Sequence, residues 1–357
     1  MKNFIKDLVE YPVDAESNMF FNAFASLNLH IDNITENTPY YCEFSKELCA
    51  ECGRCSSSIK ERYHLQRYNM YESISGVSLL WKDEALYDTF EMDYVKGVLP
   101  DKIDDRIDYT MKAAGYNYIR LRKDMGRKAV FSQIKASVDN NIPVMLYMGN
   151  RGNWTLINGY DTETCNIYGH DANKEYFTNQ DDSGYCYCDD WFHDMNLGLV
   201  VTEVTEKQVD IREFLARMES QLLKECNKEL HELVIKKIDN PEDNLNTSIW
   251  LTELINYTIE ARWHVAIFCV NELYRMLTCD KSREKACYIT DSYIKFHDLG
   301  WDIWAALGVT PKDPSKINDV FEKHEQKRVL IDLYKQIFEL DNDVCRCLKE
   351  FRELEVI

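Results

Sequence analysis

The apolar and polar positions change rhythm near residue 205. Before it, short apolar runs of strand length alternate with polar loops. After it, almost every segment repeats its apolar positions at helical spacing. Thr205–Asp210 is therefore the expected boundary between a domain over 1–205 and a second over 206–357. In the first, Ser17–Leu29 reads as a helix, with Met19, Ala23, Ser26 and Leu27 on one stripe and Phe20 and Phe24 beside it. Residues 30–125 are harder to parse, and helices are expected around Ser57–Met70 and Asp104–Ala114. Arg127–Asn140 is a cleaner helix, because Val130, Ile134 and Val138 recur every fourth residue, and Asn140-Asn141 can end it. Pro143–Met148 and Trp154–Tyr160 read as strands, with weaker ones at Cys165–Tyr168, Tyr185–Cys188 and Leu197–Val204. Helices followed by a mainly antiparallel sheet make an α+β domain.

The second domain is expected to hold four helices, at about 209–237, 247–279, 283–306 and 316–353. The breaks are turn-type clusters at Asn240-Pro241-Glu242-Asp243, Asp280-Lys281-Ser282 and Thr310-Pro311-Lys312-Asp313-Pro314. Leu251, Leu254, Tyr257, Ala261, Ala266, Val270, Leu273 and Leu277 give the second helix an apolar stripe. A helical bundle packing on the first domain or on a second subunit follows.

Composition narrows the function classes. With 357 residues, 45% of them apolar and 12% aromatic, the chain can build two cores. Its net charge of -19 argues against nucleic acid and anionic membranes, both of which need a basic surface. The first ten residues lack the apolar stretch of a signal peptide, and no apolar run approaches the roughly 20 residues of a membrane span. A soluble cytoplasmic protein is expected. The 13 cysteines are odd in number and scattered, which favours reduced, buried thiols over a disulfide framework. Gly-x-x-x-x-Gly-Lys is absent, so nucleotide chemistry is not expected.

The most specific stretch is Ile142 to Asp161: Ile-Pro-Val, a short apolar strand, a polar loop, a second apolar strand and Gly-Tyr-Asp. It resembles the core of papain-like cysteine peptidases of the bacteriocin-processing type, and most of all the branch typified by the butirosin biosynthesis H protein. The resemblance spans about 10–205 and implies a papain-like fold with a helical domain following it. It also implies a Cys opening the first helix, a His opening the strand after the Pro-Val strand, and an Asp just beyond the next short strand. The helix dipole and the His favour the thiolate, the His moves protons, and the Asp fixes its tautomer. Family members with an intact triad transfer acyl or peptidyl groups, including amide formation from carrier-bound acyl thioesters in natural-product pathways.

Carried over residue by residue, one of the three residue types survives. No cysteine precedes Cys42, and Ser17 best matches the nucleophile position. The His position falls on Trp154 and the Asp position on Asp171, with His170 beside it as a candidate displaced base. A serine hydroxyl without a base is a poor nucleophile, and an indole nitrogen only donates. Ser17 also reads as a helix cap, Trp154 as packing or ligand stacking, and Asp171 as a turn former. His170 and Asp171 adjoin on a strand and so face opposite ways. Asn153, Trp154 and Tyr160 are candidate ligand-binding residues near an aromatic-rich cleft.

Cys49, Cys52 and Cys55 are spaced by three, with Cys42 seven residues earlier. Four thiolates suit zinc or an iron–sulfur cluster. However, the last ferredoxin-type cysteine and its proline are missing, and spacing of three also suits buried cysteines on one helix stripe. No other cofactor is expected. His231, His264, His297 and His324 fall one per helix, without the Glu-x-x-His that a di-iron bundle needs.

Three readings stay open. The first is a triad-deficient papain-like protein that binds a peptide or acyl intermediate, or a partner enzyme, in a bacterial natural-product or peptide pathway. The second is an active acyltransferase or amide hydrolase using Ser17, or a shifted set with His170 and Asp171. The third is a cysteine-ligated metal protein. A homo-oligomer is compatible with each.

Overall fold

A computed structural model describes residues 1–6, 8, 19–42, 47–48, 57–75, 103–149, 153–170, 176–223, 225–241, 244–308, 321 and 323–354. The chain separates into two compact units, one of Met1–Tyr71 with Thr89–Val209 and one of Glu72–Asp88 with Asp210–Ile357. The first mixes an antiparallel sheet with helices, and the C-terminal region is helical.

In chain order the first unit begins with β1 (Lys2–Phe4), α1 (Met19–Ile31), β2 (Tyr41–Cys42) and β3 (Glu47–Leu48). Next come α2 (Ile59–Ile74), whose last three residues group with the second unit, α3 (Ile103–Ala113) and β4 (Tyr116–Leu121). Then follow α4 (Arg127–Asp139), β5 (Val144–Met148), β6 (Asn153–Asp161), β7 (Ile167–His170), β8 (Asn179–Gln180), β9 (Cys186–Cys188), α5 (Trp191–Asp194) and β10 (Met195–Val204). The main sheet runs β4-β10-β5-β6-β7-β9-β8, and β1 adds to β6 beyond the start of β5. All its pairs are antiparallel. Phe4 lies so close to Gly159 that a Cβ there would come within 2.4 Å of its ring, which is why β6 carries glycine at that crossing.

Every residue of β5 is buried, so its apolar run is continuous rather than alternating. Val144, Leu146 and Met148 face one side, in a core with Val130, Ile134 and Val138 of α4 and with Ile157. Tyr147 faces the other side, where Trp154 and α1 pack. From Phe20 to Leu29 α1 is buried on all sides, as a helix apolar around most of its circumference must be. Asn28 Nδ2 is bonded inside, donating to the hydroxyls of Tyr71 (3.2 Å) and Tyr116 (2.5 Å), and the Asn22 backbone carbonyl accepts from His64 Nε2 (3.1 Å). Strand β4 lies in the stretch that the apolar pattern left unparsed. Only its two ends are buried, so it has no clean alternation to read.

The second unit contains α6 (Ile211–Leu222), α7 (Glu225–Asp239), α8 (Asn244–Phe268), α9 (Asp280–Leu307) and α10 (His324–Glu353). The single helix expected over about 209–237 is two helices, broken after Leu222. The buried sets are Phe214, Leu215 and Met218 in α6 and Leu230, Val234 and Ile238 in α7. Met218 and Leu230 are twelve residues apart, which puts one stripe about 120° out of phase with the other, and the break resets it. After α8 the chain passes through a π turn, Cys269–Leu273, before Tyr274–Met276. In the core of this unit Arg262 of α8 meets Asp341 of α10 through two bonds, Nε to Oδ1 at 3.0 Å and Nη2 to Oδ2 at 2.8 Å. Tyr293 and Phe296 of α9 flank the guanidinium. Among the described residues no helix is long and apolar enough to cross a membrane.

Candidate functional site

The position at which a papain-like site would assemble is the start of α1 against the start of β6. The fold brings these two together. Phe20, in the first turn of α1, meets Trp154, the second residue of β6, with ring centroids 5.0 Å apart and planes at 75°. Trp154 pairs across the sheet with Tyr147, their centroids 5.4 Å apart. Phe20 also stacks on Phe24 and meets Phe21 edge-on. Such offset and edge-on contacts suit the ring quadrupoles and add to the area buried. Trp154 is 2% exposed, and its indole is set into packed aromatic rings rather than against an open cleft.

The other candidates fall unevenly around this point. Ser17 and Asp171 lie outside the described residues. His170 ends β7 and pairs with Leu156, two residues along β6 from Trp154. Asn153 opens β6 opposite Met148. Tyr160 does not share a site with Trp154. The pairing of β6 shifts by one residue between Ile157 and Gly159, and that bulge reverses the alternation of the strand. Tyr160 thus falls on the α4 side, against Phe131, and its hydroxyl donates to Asp139 Oδ1 at 2.6 Å. Asn158-Gly159 marks the place of the bulge in the sequence without fixing which face Tyr160 takes.

Of the cysteine cluster, Cys42 pairs with Glu47 in the β2–β3 hairpin, while Cys49, Cys52 and Cys55 lie outside the described residues. Cys188 is buried in the α4-side core, and burial, with Asp194 adding to it, pushes its thiol up to about 12, so it is neither a thiolate nor a nucleophile near neutral pH. The four bundle histidines do not converge. His231 stacks on Phe338 at 3.6 Å, His264 Nδ1 lies 2.5 Å from Glu72 Oε2, and His297 packs between Trp263 and Trp301. Among the described residues no group of three or more His, Cys, Asp or Glu could hold a metal ion.

No family model matches the chain, and no curated protein or solved structure matches it either.

Proposed function

We propose that the first unit is a papain-like scaffold of the butirosin-H type in which the base of the triad has been replaced by Trp154. On this reading the protein acts by binding a peptide or acyl intermediate, or the enzyme that handles it, in a bacterial natural-product or peptide pathway. The observation that carries the reading is the burial of Trp154 between Phe20 and Tyr147, at the junction of α1 and β6. A hydroxyl or thiol at the start of α1 needs a proton acceptor within hydrogen-bond reach. An indole has no acceptor, so Trp154 cannot take the proton.

Thiol release from an acyl-N-acetylcysteamine thioester, a small mimic of a carrier-bound acyl group, tests the reading. The thioester is expected to bind saturably, with thiol release no faster than in buffer. Release that Ser17→Ala or His170→Ala abolishes would overturn the reading in favour of an active acyltransferase or hydrolase.

A further inference from the structure

A cavity of about 860 Å³ lies at the opposite end of α1 from the Phe20–Trp154 contact. It is bounded by the C-terminal ends of two helices, and the two ends are built alike. After α1, Asn33 takes a left-handed conformation (φ 52°), with the Ile34 N–H bonded to the Leu29 carbonyl and the Asn33 N–H to the His30 carbonyl. After α4, Asn141 does the same (φ 61°), with the Ile142 N–H bonded to the Ser137 carbonyl and the Asn141 N–H to the Val138 carbonyl. Both are closed C-terminal caps, in which Leu29 and His30 at one end and Ser137 and Val138 at the other have their carbonyls bonded back. His30 ties them together, its Nε2 bonding the Asn141 carbonyl at 2.9 Å. These four residues, His30, Asn33, Asn141 and Ile142, all line the cavity.

Three further lining residues point to a ligand. The Ser26 hydroxyl is buried, with the residue 1% exposed, and it has no hydrogen-bond partner among the described residues. A buried hydroxyl without a partner is costly to leave unmet, and a ligand can meet it. Lys6 and Lys60 are at least partly exposed on the same cavity, and neither makes an ion pair or a side-chain hydrogen bond to a described residue. Among the described residues that line the cavity none is acidic, in a chain with 61 Asp and Glu against 42 Lys and Arg. The remaining lining is largely apolar, with Phe4, Leu29, Ile34 and Val204. Across the whole cavity polar residues are at least as many as apolar ones, and a concavity of this volume that combines an apolar side with convergent polar groups has the size of a small-molecule site.

From this geometry we infer that the cavity binds a small amphipathic anion, an apolar body ending in a carboxylate or a phosphate monoester. The apolar body lies along Phe4, Ile34 and Val204, and the anion is held by Lys6 and Lys60. The carbonyls of Leu29, His30, Ser137 and Val138 are bonded back within the two caps and that of Asn141 is taken by His30, so these five do not stand free against the anion. The inference is independent of the papain-like reading, since it uses none of the residues of the α1–β6 junction.

Titration calorimetry of the full chain, in a buffer free of phosphate and carboxylate, tests it with octanoate, octyl phosphate, octan-1-ol and octylamine. At least one of the two anions is expected to bind one site, about tenfold or more tighter than the alcohol or the amine, and the tighter anion identifies the head group. Lys6→Ala with Lys60→Ala, at positions whose side chains support no described contact, is expected to weaken that anion at least about tenfold, with the melting temperature of the free protein unchanged. Ser26→Val is expected to weaken it as well. The inference is overturned if neither anion binds, if alcohol or amine binds as tightly, or if the double lysine variant keeps the wild-type affinity.

Discussion

Phe20 and Trp154 meet edge-on, ring centroids 5.0 Å apart, one from the first turn of a buried helix and the other from the start of a central strand. On the proposed papain-like reading, this contact joins the segments that would carry nucleophile and base. Here both residues are core. The same atoms that would have to leave room for a proton transfer instead bury aromatic surface, and the contact is a folding interaction first.

Removing the indole therefore unmakes the junction. Trp154→Ala should cost about 3–5 kcal/mol of stability, through lost burial and an unfilled cavity. Trp154→His should also destabilise, because a smaller polar ring enters an apolar site, and it should confer no thioesterase activity. Urea denaturation of both variants, alongside the thioester assay, measures this. A Trp154→Ala variant as stable as the wild type would show that the ring is not packed as described.

Arg262 and Asp341 give a second prediction. Both are almost wholly buried and joined by two bonds. Asp341→Ala leaves the guanidinium buried with its carboxylate partner gone and should cost about 3–5 kcal/mol. Replacing the pair together, Arg262→Met with Asp341→Leu, should cost much less than the sum of the single changes, since no charge is then stranded. A double-mutant cycle by thermal denaturation reads the difference, and additive single costs would contradict it.

Acid should weaken the first unit through His64. Burial holds this imidazole down to about 4, while its Nε2–H donates to the Asn22 carbonyl. The unfolded chain takes up a proton near pH 6.5 that the folded chain refuses until about pH 4, so stability falls as the pH falls through that window. The loss attributable to His64 is at most about 3 kcal/mol. His64→Gln should flatten the dependence of the urea midpoint on pH between 6.5 and 4. A slope unchanged by that substitution would remove His64 as its cause. His231, also brought down to about 4 by burial, would still contribute from the second unit.

The parts of the fold legible in the sequence are those whose burial has a simple period. Strand β5 announces itself through an unbroken apolar run, β6 through its apolar and aromatic residues, and α4 through Val130, Ile134 and Val138. Strand β4 does not, because its middle is only partly covered and its residues mix Tyr, Asn and Arg. The break between α6 and α7 is a phase slip between two regular stripes, which a reading of each stripe by itself passes over. At the candidate site, an aromatic-rich cleft around Trp154 and Tyr160 was visible. The separation of Tyr160 from Trp154 was not, since it depends on one bulged residue. Asn140-Asn141 was readable as a helix stop. That it faces a second asparagine cap across a cavity depends on His30 and Asn33, more than a hundred residues earlier, and pairings at that distance have no local signature.

Intact-mass spectrometry of the protein after exposure to a fluorophosphonate, which adds to serine hydroxyls activated by a neighbouring base, decides between a binding protein and an enzyme. If Trp154 holds the base position, as proposed, the mass stays unmodified. A single adduct mapped to Ser17, and lost in Ser17→Ala, would contradict it and establish a working nucleophile at the start of α1.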